Sequence, residues 1–338
     1  MLTDRNLKQK STQNSIQSID DVLKVTHEDM DLVNATIRNS LDSHVVLIKQ
    51  ISTYIINSGG KRLRPILVVL MAQAFKNKGK NHIQLAAIIE FIHTATLLHD
   101  DVVDESDMRR GNKTANEVWG NSASVLVGDF LYSRAFQMMV TIGNLKVMDI
   151  LANATNTISE GEVLQLLSIG NLDITEQQYY QIIQNKTARL FEAGCELSAL
   201  ISSDDKDLIE KMANYGKYLG MAFQIADDML DYAIDNNELD KNIGDDLAEG
   251  KLTLPLIYLL ENGTIDDKRV ISEAIESQST KHLKTIQKRI NETPALKYTQ
   301  DKANEFANLA KAQLIDLPES DAKNALQFLC DFSCHRSN

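Results

Sequence analysis

Apolar residues recur at three- and four-residue spacing through long stretches of this chain, and only four prolines and fifteen glycines interrupt its 338 residues. That period draws an oily stripe along a helix, and the scarcity of breakers leaves little room for strands or long loops. An all-α fold follows. The 43% hydrophobic content can line a large core. Since no Pro/Gly/Ser linker, solenoid-period repeat or low-complexity tract divides the chain, the expectation is a polar N-terminal tail over 1–16 and a single domain over 17–338.

Helices are expected from His82 through Leu98, and over about Ala123–Val140, Lys146–Leu167, Thr175–Ile201 and Asp205–Tyr232. Asn57-Ser58-Gly59-Gly60 is a turn signal. Pro65 then suits a first helical residue before Ile66–Met71, so Lys61, Arg62 and Arg64 cluster at a helix start. Asp235–Lys251, rich in Asp, Asn and Gly, reads as a functional loop ahead of the apolar run Leu252–Leu260. After Gly263 the pattern weakens.

A net charge of −12 repels a phosphate backbone over most of the surface and excludes general nucleic-acid binding. It does not exclude a local phosphate site. Cys195, Cys330 and Cys334 are too few and too irregular for a disulfide framework or a zinc site, and are left as core or surface residues. The N-terminus lacks the apolar run of a secretory signal, and no segment is long enough to span a bilayer, so a cytoplasmic protein is expected.

The stripe from His82 ends in His99-Asp100-Asp101-Val102-Val103-Asp104. On a helix Asp100 and Asp104 project side by side and Asp101 lies three residues before Asp104, so three carboxylates are expected to face one small volume. One such cluster by itself reads more readily as a solvated helix end than as a metal site. A second cluster, Asp227, Asp228 and Asp231, repeats the spacing after Met221–Ala226. Like charges on one turn repel, and burying them beside oily residues is unfavourable unless a cation compensates. Hard oxygen donors suit Mg²⁺, which binds one or two carboxylates and completes its shell with water and phosphate oxygens. Two facing clusters would hold several Mg²⁺ ions around one diphosphate. Arg109 and Arg110 follow the first cluster, and Lys61 and Arg64 begin an earlier helix; together they point to phosphate binding. His93, two turns before Asp100 on the same face, serves equally as a core residue or as a phosphate donor.

DDVVDESDMRRG from Asp100 to Gly111 and DDMLD from Asp227 to Asp231 are similar to the two aspartate-rich motifs of the trans-isoprenyl diphosphate synthases, the polyprenyl synthetase family. GGKRLRP at Gly59–Pro65 resembles that family's isopentenyl diphosphate motif. The likeness runs from about Gly59 to Leu260 through KTARLFEAG, FQIADDMLDY and GDDLAEGKLTLPL. Within the family, IHTATLLHDDVVDESDMRRG, GNSASVLVGDF and SEGEVLQL look like the bacterial branch that makes the octaprenyl side chain of ubiquinone.

The resemblance implies a bundle of antiparallel helices around a deep central cavity, in a homodimer, that condenses isopentenyl diphosphate with farnesyl or another allylic diphosphate. It implies Mg²⁺, three ions per active site with substrate bound. Asp100, Asp104 and Asp227 would be ligands, and Asp101, Asp228 and Asp231 would contact metal-bound water. Lys61, Arg64, His93 and Arg110 would hold isopentenyl diphosphate; Arg109, Lys186, Thr187, Gln224, Lys241 and Lys251 the allylic diphosphate. Ala95 and Thr96 stand one turn below the first Asp, where short-chain members carry aromatic rings. These small residues would leave a tunnel open toward Ile92 and Ile88, setting product length. Four rival readings remain: a family member with another chain length, a terpene cyclase, a non-catalytic subunit and a purely structural helical protein, the last gaining nothing from two buried acidic clusters. The cyclase would leave Lys61, Arg64 and His93 idle, and the intact aspartate motifs oppose the inert subunit.

Overall fold

The computed structural model describes residues 16–232 and 244–334. The described residues are helical apart from short connections and one small antiparallel ribbon, Met108–Arg109 against Asn112–Lys113. The helices are α1 (Ile19–Ser40), α2 (Val46–Asn57), α3 (Leu63–Ala74), α4 (Asn81–Val103), α5 (Ala115–Trp119), α6 (Asn121–Ile142), α7 (Leu145–Ser168) and α8 (Glu176–Ile183). A π turn, Gln184–Ala188, joins α8 to α9 (Arg189–Leu200). Then follow α10 (Lys206–Leu230), α11 (Asp245–Ala248), α12 (Leu254–Asn262), α13 (Ile265–Glu276), α14 (Leu283–Glu292), α15 (Ala295–Gln313) and α16 (Asp321–Cys334).

The expected all-α fold is present, and the weakly patterned region after Gly263 is helical too. Its helices are amphipathic and stopped by short polar turns, with Thr264 and Asp267 closing a reciprocal cap at the start of α13. Pro65 is the third residue of α3, not the first. No intrahelical bond is lost there, because the first turn's N–H groups have no partner inside the helix. All three cysteines are buried.

The core is built around two long helices. α4 packs among α1, α3, α6 and α9, while α10 packs among α9, α15 and α16. Their close approach to neighbours rests on glycines: a Cβ at Gly161 of α7 would lie 2.7 Å from the Lys186 backbone nitrogen, and one at Gly220 of α10 2.6 Å from the Ala188 Cα. The π turn is thus clasped between α7 and α10. An inserted residue in a helix re-aims the side chains it carries, a device found at functional sites; here it carries Lys186 and Thr187 to the carboxylate ends of α4 and α10.

Candidate active site

Asp100 and Asp104 point the same way from the last turn of α4. Lys186 Nζ stands 3.6 Å from Asp100 Oδ2, and Lys251 Nζ donates to Asp104 Oδ2 at 3.1 Å. Glu162 of α7 pairs with Lys186 at 2.7 Å, and Glu249 pairs with Lys251. The Gln165 amide, turned so that its oxygen faces the lysines, accepts from both at 3.2 Å. Burial pushes the Asp100 carboxyl up against the pull of Lys186. It also raises Glu162 to about 7. Burial opposes the charge on Lys251, but Asp104, Glu249 and Asp246 outweigh it and hold the ammonium protonated.

The structure corrects the expectation that all three carboxylates of the first cluster share one volume. Asp101 is wholly buried on another face of α4, where Arg109 Nε donates to its Oδ1 at 2.7 Å. Successive helical residues are rotated by about 100°, so Asp101 cannot follow Asp100 into the cleft. Arg109 is thereby tied to a motif carboxylate.

The second cluster is also divided. Asp228 accepts from the Tyr179 hydroxyl and from Gln224 Nε2, each at 2.6 Å, and Thr187 Oγ1 donates to Gln224 Oε1 at 2.9 Å. Asp231 accepts from the backbone N–H groups of Gly244 at 2.9 Å and Asp246 at 3.3 Å. Asp227 is half-buried at the same helix end. Burial raises Asp228 to about 7 and Asp231 to about 6, despite the hydrogen bonds that favour their ionised forms. A cavity of about 140 Å³ opens beneath Lys186, Thr187, Gln224, Asp228 and Lys251, with Ile169 and Ile183 in its floor. Lys241 lies outside the described residues.

A second basic group gathers where α3 begins. Arg64 Nη1 is 3.2 Å from His93 Nε2, and the Arg64 guanidinium lies 4.4 Å from the centre of the Phe191 ring. Burial and the charges of Arg64 and Arg110 press His93 well below its usual range, so its neutral Nε2 accepts from Arg64. Arg110 donates to the Gly59 carbonyl and lies across Gly60. Gly60 has φ +132°, and a side chain there would collide with the Arg110 guanidinium, so both glycines serve the cradle. Arg110 itself adopts left-handed φ 52°. Lys61 Nζ stands 4.9 Å over the Phe332 ring of α16. Arg62 instead bonds Asn34 and the Ile56 carbonyl, tying α1 and α2 to the loop.

The tunnel expected beside Ala95 is closed. Ala95, Ile92 and Ile88 are sealed from solvent, while Thr96 is half-buried. Ala95 and Ile88 share a helical stripe with Gln84 and His99, which bond the Met138 and Val125 carbonyls of α6. Packing between α4 and α6 therefore fills the place assigned to the passage.

Glu162, Gln165, Tyr179, Asp246 and Glu249 join the site without having been singled out by the sequence. Glu162 and Gln165 stand three apart in SEGEVLQL, a spacing that places both on one face of α7 and was the signal available. Among the described residues, no three Asp, Glu, His or Cys side chains converge tightly enough to hold a metal ion by themselves. The donors are hard oxygens, and ammonium groups already sit against Asp100 and Asp104. That chemistry fits a divalent cation whose remaining ligands come from water and a phosphorylated substrate.

A family profile described as Polyprenyl synthetase matches residues 45–293. The chain is 48% identical over 320 residues to the octaprenyl diphosphate synthase of Escherichia coli K12, covering 94% of this chain and 99% of that protein. It is 42% identical to an all-trans-nonaprenyl-diphosphate synthase (geranyl-diphosphate specific) of Rhodobacter capsulatus, covering 90% and 94%. These alignments reach beyond the Gly59–Leu260 span of motif likeness into the C-terminal helices. The crystal structure of a polyprenyl synthase from Caulobacter crescentus, complexed with calcium and isoprenyl diphosphate, superposes with a TM-score of 0.91 at 41% identity, covering 96% of this chain and 99% of that one.

Proposed function

The chain belongs to the polyprenyl synthetase family, and from this premise we propose that it condenses isopentenyl diphosphate with farnesyl diphosphate, in the presence of Mg²⁺, to an octaprenyl diphosphate destined for the ubiquinone side chain. The observation that carries the reading is the presence of two separate basic groups, one where α3 begins and one at the carboxylate-bearing helix ends. Arg64, His93 and Arg110 form one, and Lys186 and Lys251 form the other. Two diphosphates need two such places, and a cyclase would need only one.

In this reading Lys61, Arg64, His93 and Arg110 hold isopentenyl diphosphate, while Arg109, Lys186, Thr187, Gln224, Lys241 and Lys251 hold the allylic diphosphate. Asp100, Asp104 and Asp227 would ligate Mg²⁺, with Asp101, Asp228 and Asp231 behind them; the ion, when bound, supplies positive charge to the diphosphate oxygens. Lys186 and Lys251 exchange carboxylate partners for phosphate oxygens and stabilise the departing diphosphate as the allylic C–O bond ionises. The double bond of isopentenyl diphosphate, held at the cation's face, attacks the allylic carbon, and loss of a proton to the released diphosphate forms the new trans double bond. Apolar walls keep water from the cation.

The octaprenyl product is favoured by the higher identity to the eight-unit synthase, and the nonaprenyl relative supplies the second reading. A homodimer is supported by apolar side chains left exposed along α6 and α7, among them Leu126, Val140, Leu145, Val163 and Leu167. The deciding experiment incubates the purified protein with farnesyl diphosphate, isopentenyl diphosphate and Mg²⁺ and chromatographs the dephosphorylated product. An eight-unit chain is expected; a nine- or ten-unit chain selects the second reading, and no chain longer than farnesyl overturns the proposal.

A further inference from the structure

The basic group around Arg64 contains a carboxylate that an anion site does not need on grounds of charge. Glu90 lies three residues before His93, one turn back on the same side of α4. Among the described residues its Oε2 is sealed from solvent without a hydrogen-bond partner, and so is Arg64 Nε. Burial pushes the Glu90 carboxyl up, and the guanidinium groups of Arg62, Arg64 and Arg110 pull against it. Arg62 is spent on Asn34 and the Ile56 carbonyl. Among the described residues, the contacts of Arg64 and Arg110 are with neutral groups: the imidazole of His93, the ring of Phe191 and the carbonyl of Gly59. Arg64 is desolvated by burial and repelled by the neighbouring, more exposed Arg110, and nothing in those neutral contacts offsets that repulsion.

We propose that Glu90 is a positioning residue, a half-buried counter-charge that holds Arg64 and Arg110 together in the orientation that receives the diphosphate of isopentenyl diphosphate. Positioning and simple charge predict opposite signs. A bystander carboxylate repels the incoming anion, so removing it would tighten binding. A carboxylate that keeps two mutually repelling cations in place makes binding weaker when it is lost, because the cations spread into other rotamers.

The inference rests on the assignment of this group to isopentenyl diphosphate, and the test keeps the two apart. Steady-state kinetics would be measured for Glu90→Gln, Glu90→Asp and Arg64→Ala, with calorimetric titration of isopentenyl diphosphate alone and a thermal midpoint for each variant. Glu90→Gln is expected to raise the isopentenyl KM about tenfold while leaving the allylic KM within about twofold and weakening direct binding by a like factor. Glu90→Asp, which keeps the charge, should recover part of that loss. An isopentenyl KM that stays level or falls in Glu90→Gln, equal rises for both substrates, or an Asp variant no better than Gln overturns the positioning role. If Gln does not fold, the Asp variant decides by the same KM comparison with wild type. If Arg64→Ala leaves the isopentenyl KM unchanged, the subsite assignment itself fails; if it raises that KM and Glu90→Gln does not, only the role of Glu90 falls.

Discussion

At the scale of single residues, ammonium groups occupy the carboxylates that a substrate complex would use. Lys186 and Lys251 stand against Asp100 and Asp104, and Gln165 receives a hydrogen bond from both lysines. Binding a diphosphate must transfer these lysines from carboxylate to phosphate, which is favourable only if other positive charge replaces them. Asp100→Ala and Asp227→Ala should therefore each lower turnover by more than about two decades, the loss of several kcal/mol of charge stabilisation, with the fold retained. Near-wild-type rates in either variant at saturating Mg²⁺ would falsify the ligand assignment. The two basic groups should also separate by substrate. Lys61→Ala is expected to raise the isopentenyl KM more than the allylic one, and Lys251→Ala the reverse, so equal effects in both variants would dissolve the division.

At the scale of elements, the expectation that product length is set beside Ala95 becomes a proposal about the seam between α4 and α6. Small side chains line it: Ala95 on α4, and Gly128 and Ala135 on α6, all buried. Gly128 has the His99 ring against it, so even one methyl would collide. Because the seam is closed, a lengthening chain must part these helices rather than slide down an open bore. Well-packed interiors resist added volume by about 1–3 kcal/mol per oversized side chain. Ala95→Tyr should consequently lower the thermal midpoint and stop elongation after one or two additions, while the first condensation continues. Full-length product at the normal rate would show that the chain leaves by another route, leaving the diphosphate assignments untouched.

At the scale of the whole molecule, the site stores unfavourable charge that the ligand-free fold must bear. Burial raises Glu162 and Asp228 to about 7, far above ordinary carboxylates. The folded state thus binds more protons than the unfolded chain, and stability declines as pH rises through 7. His93, depressed by burial and its arginine neighbours, acts in the opposite sense up through the usual histidine range. Between pH 6.5 and 8 the two carboxylates, each removing about 1 kcal/mol, outweigh what remains of that opposition. Calorimetry of the ligand-free protein should show a midpoint falling by a few degrees over that interval, and Mg²⁺ with inorganic diphosphate should flatten the slope; a flat or rising midpoint without ligand would contradict the buried-charge account. In the proposed homodimer the exposed apolar side chains of α6 and α7 would face a second copy of the chain. Replacing Leu126 and Leu167 together by Glu should convert a dimer into monomers in sedimentation, and an unchanged mass would place the interface elsewhere.

The sequence by itself determined the main helices up to about Leu260, though not α13–α16 after Gly263, because their period is local, and it marked both carboxylate clusters, because spacing along one helix is local too. It also carried the family likeness from Gly59 to Leu260. The tertiary structure decided which member of each cluster meets the cleft. Asp101 went to Arg109 and Asp228 to Tyr179, since burial and rotation about the helix axis depend on what packs alongside. It brought Lys251 to Asp104 across 147 residues, placed Glu90 among the arginines, and closed the seam at Ala95. Those outcomes belong to contacts between helices, and no periodicity within one helix encodes which neighbour it will meet.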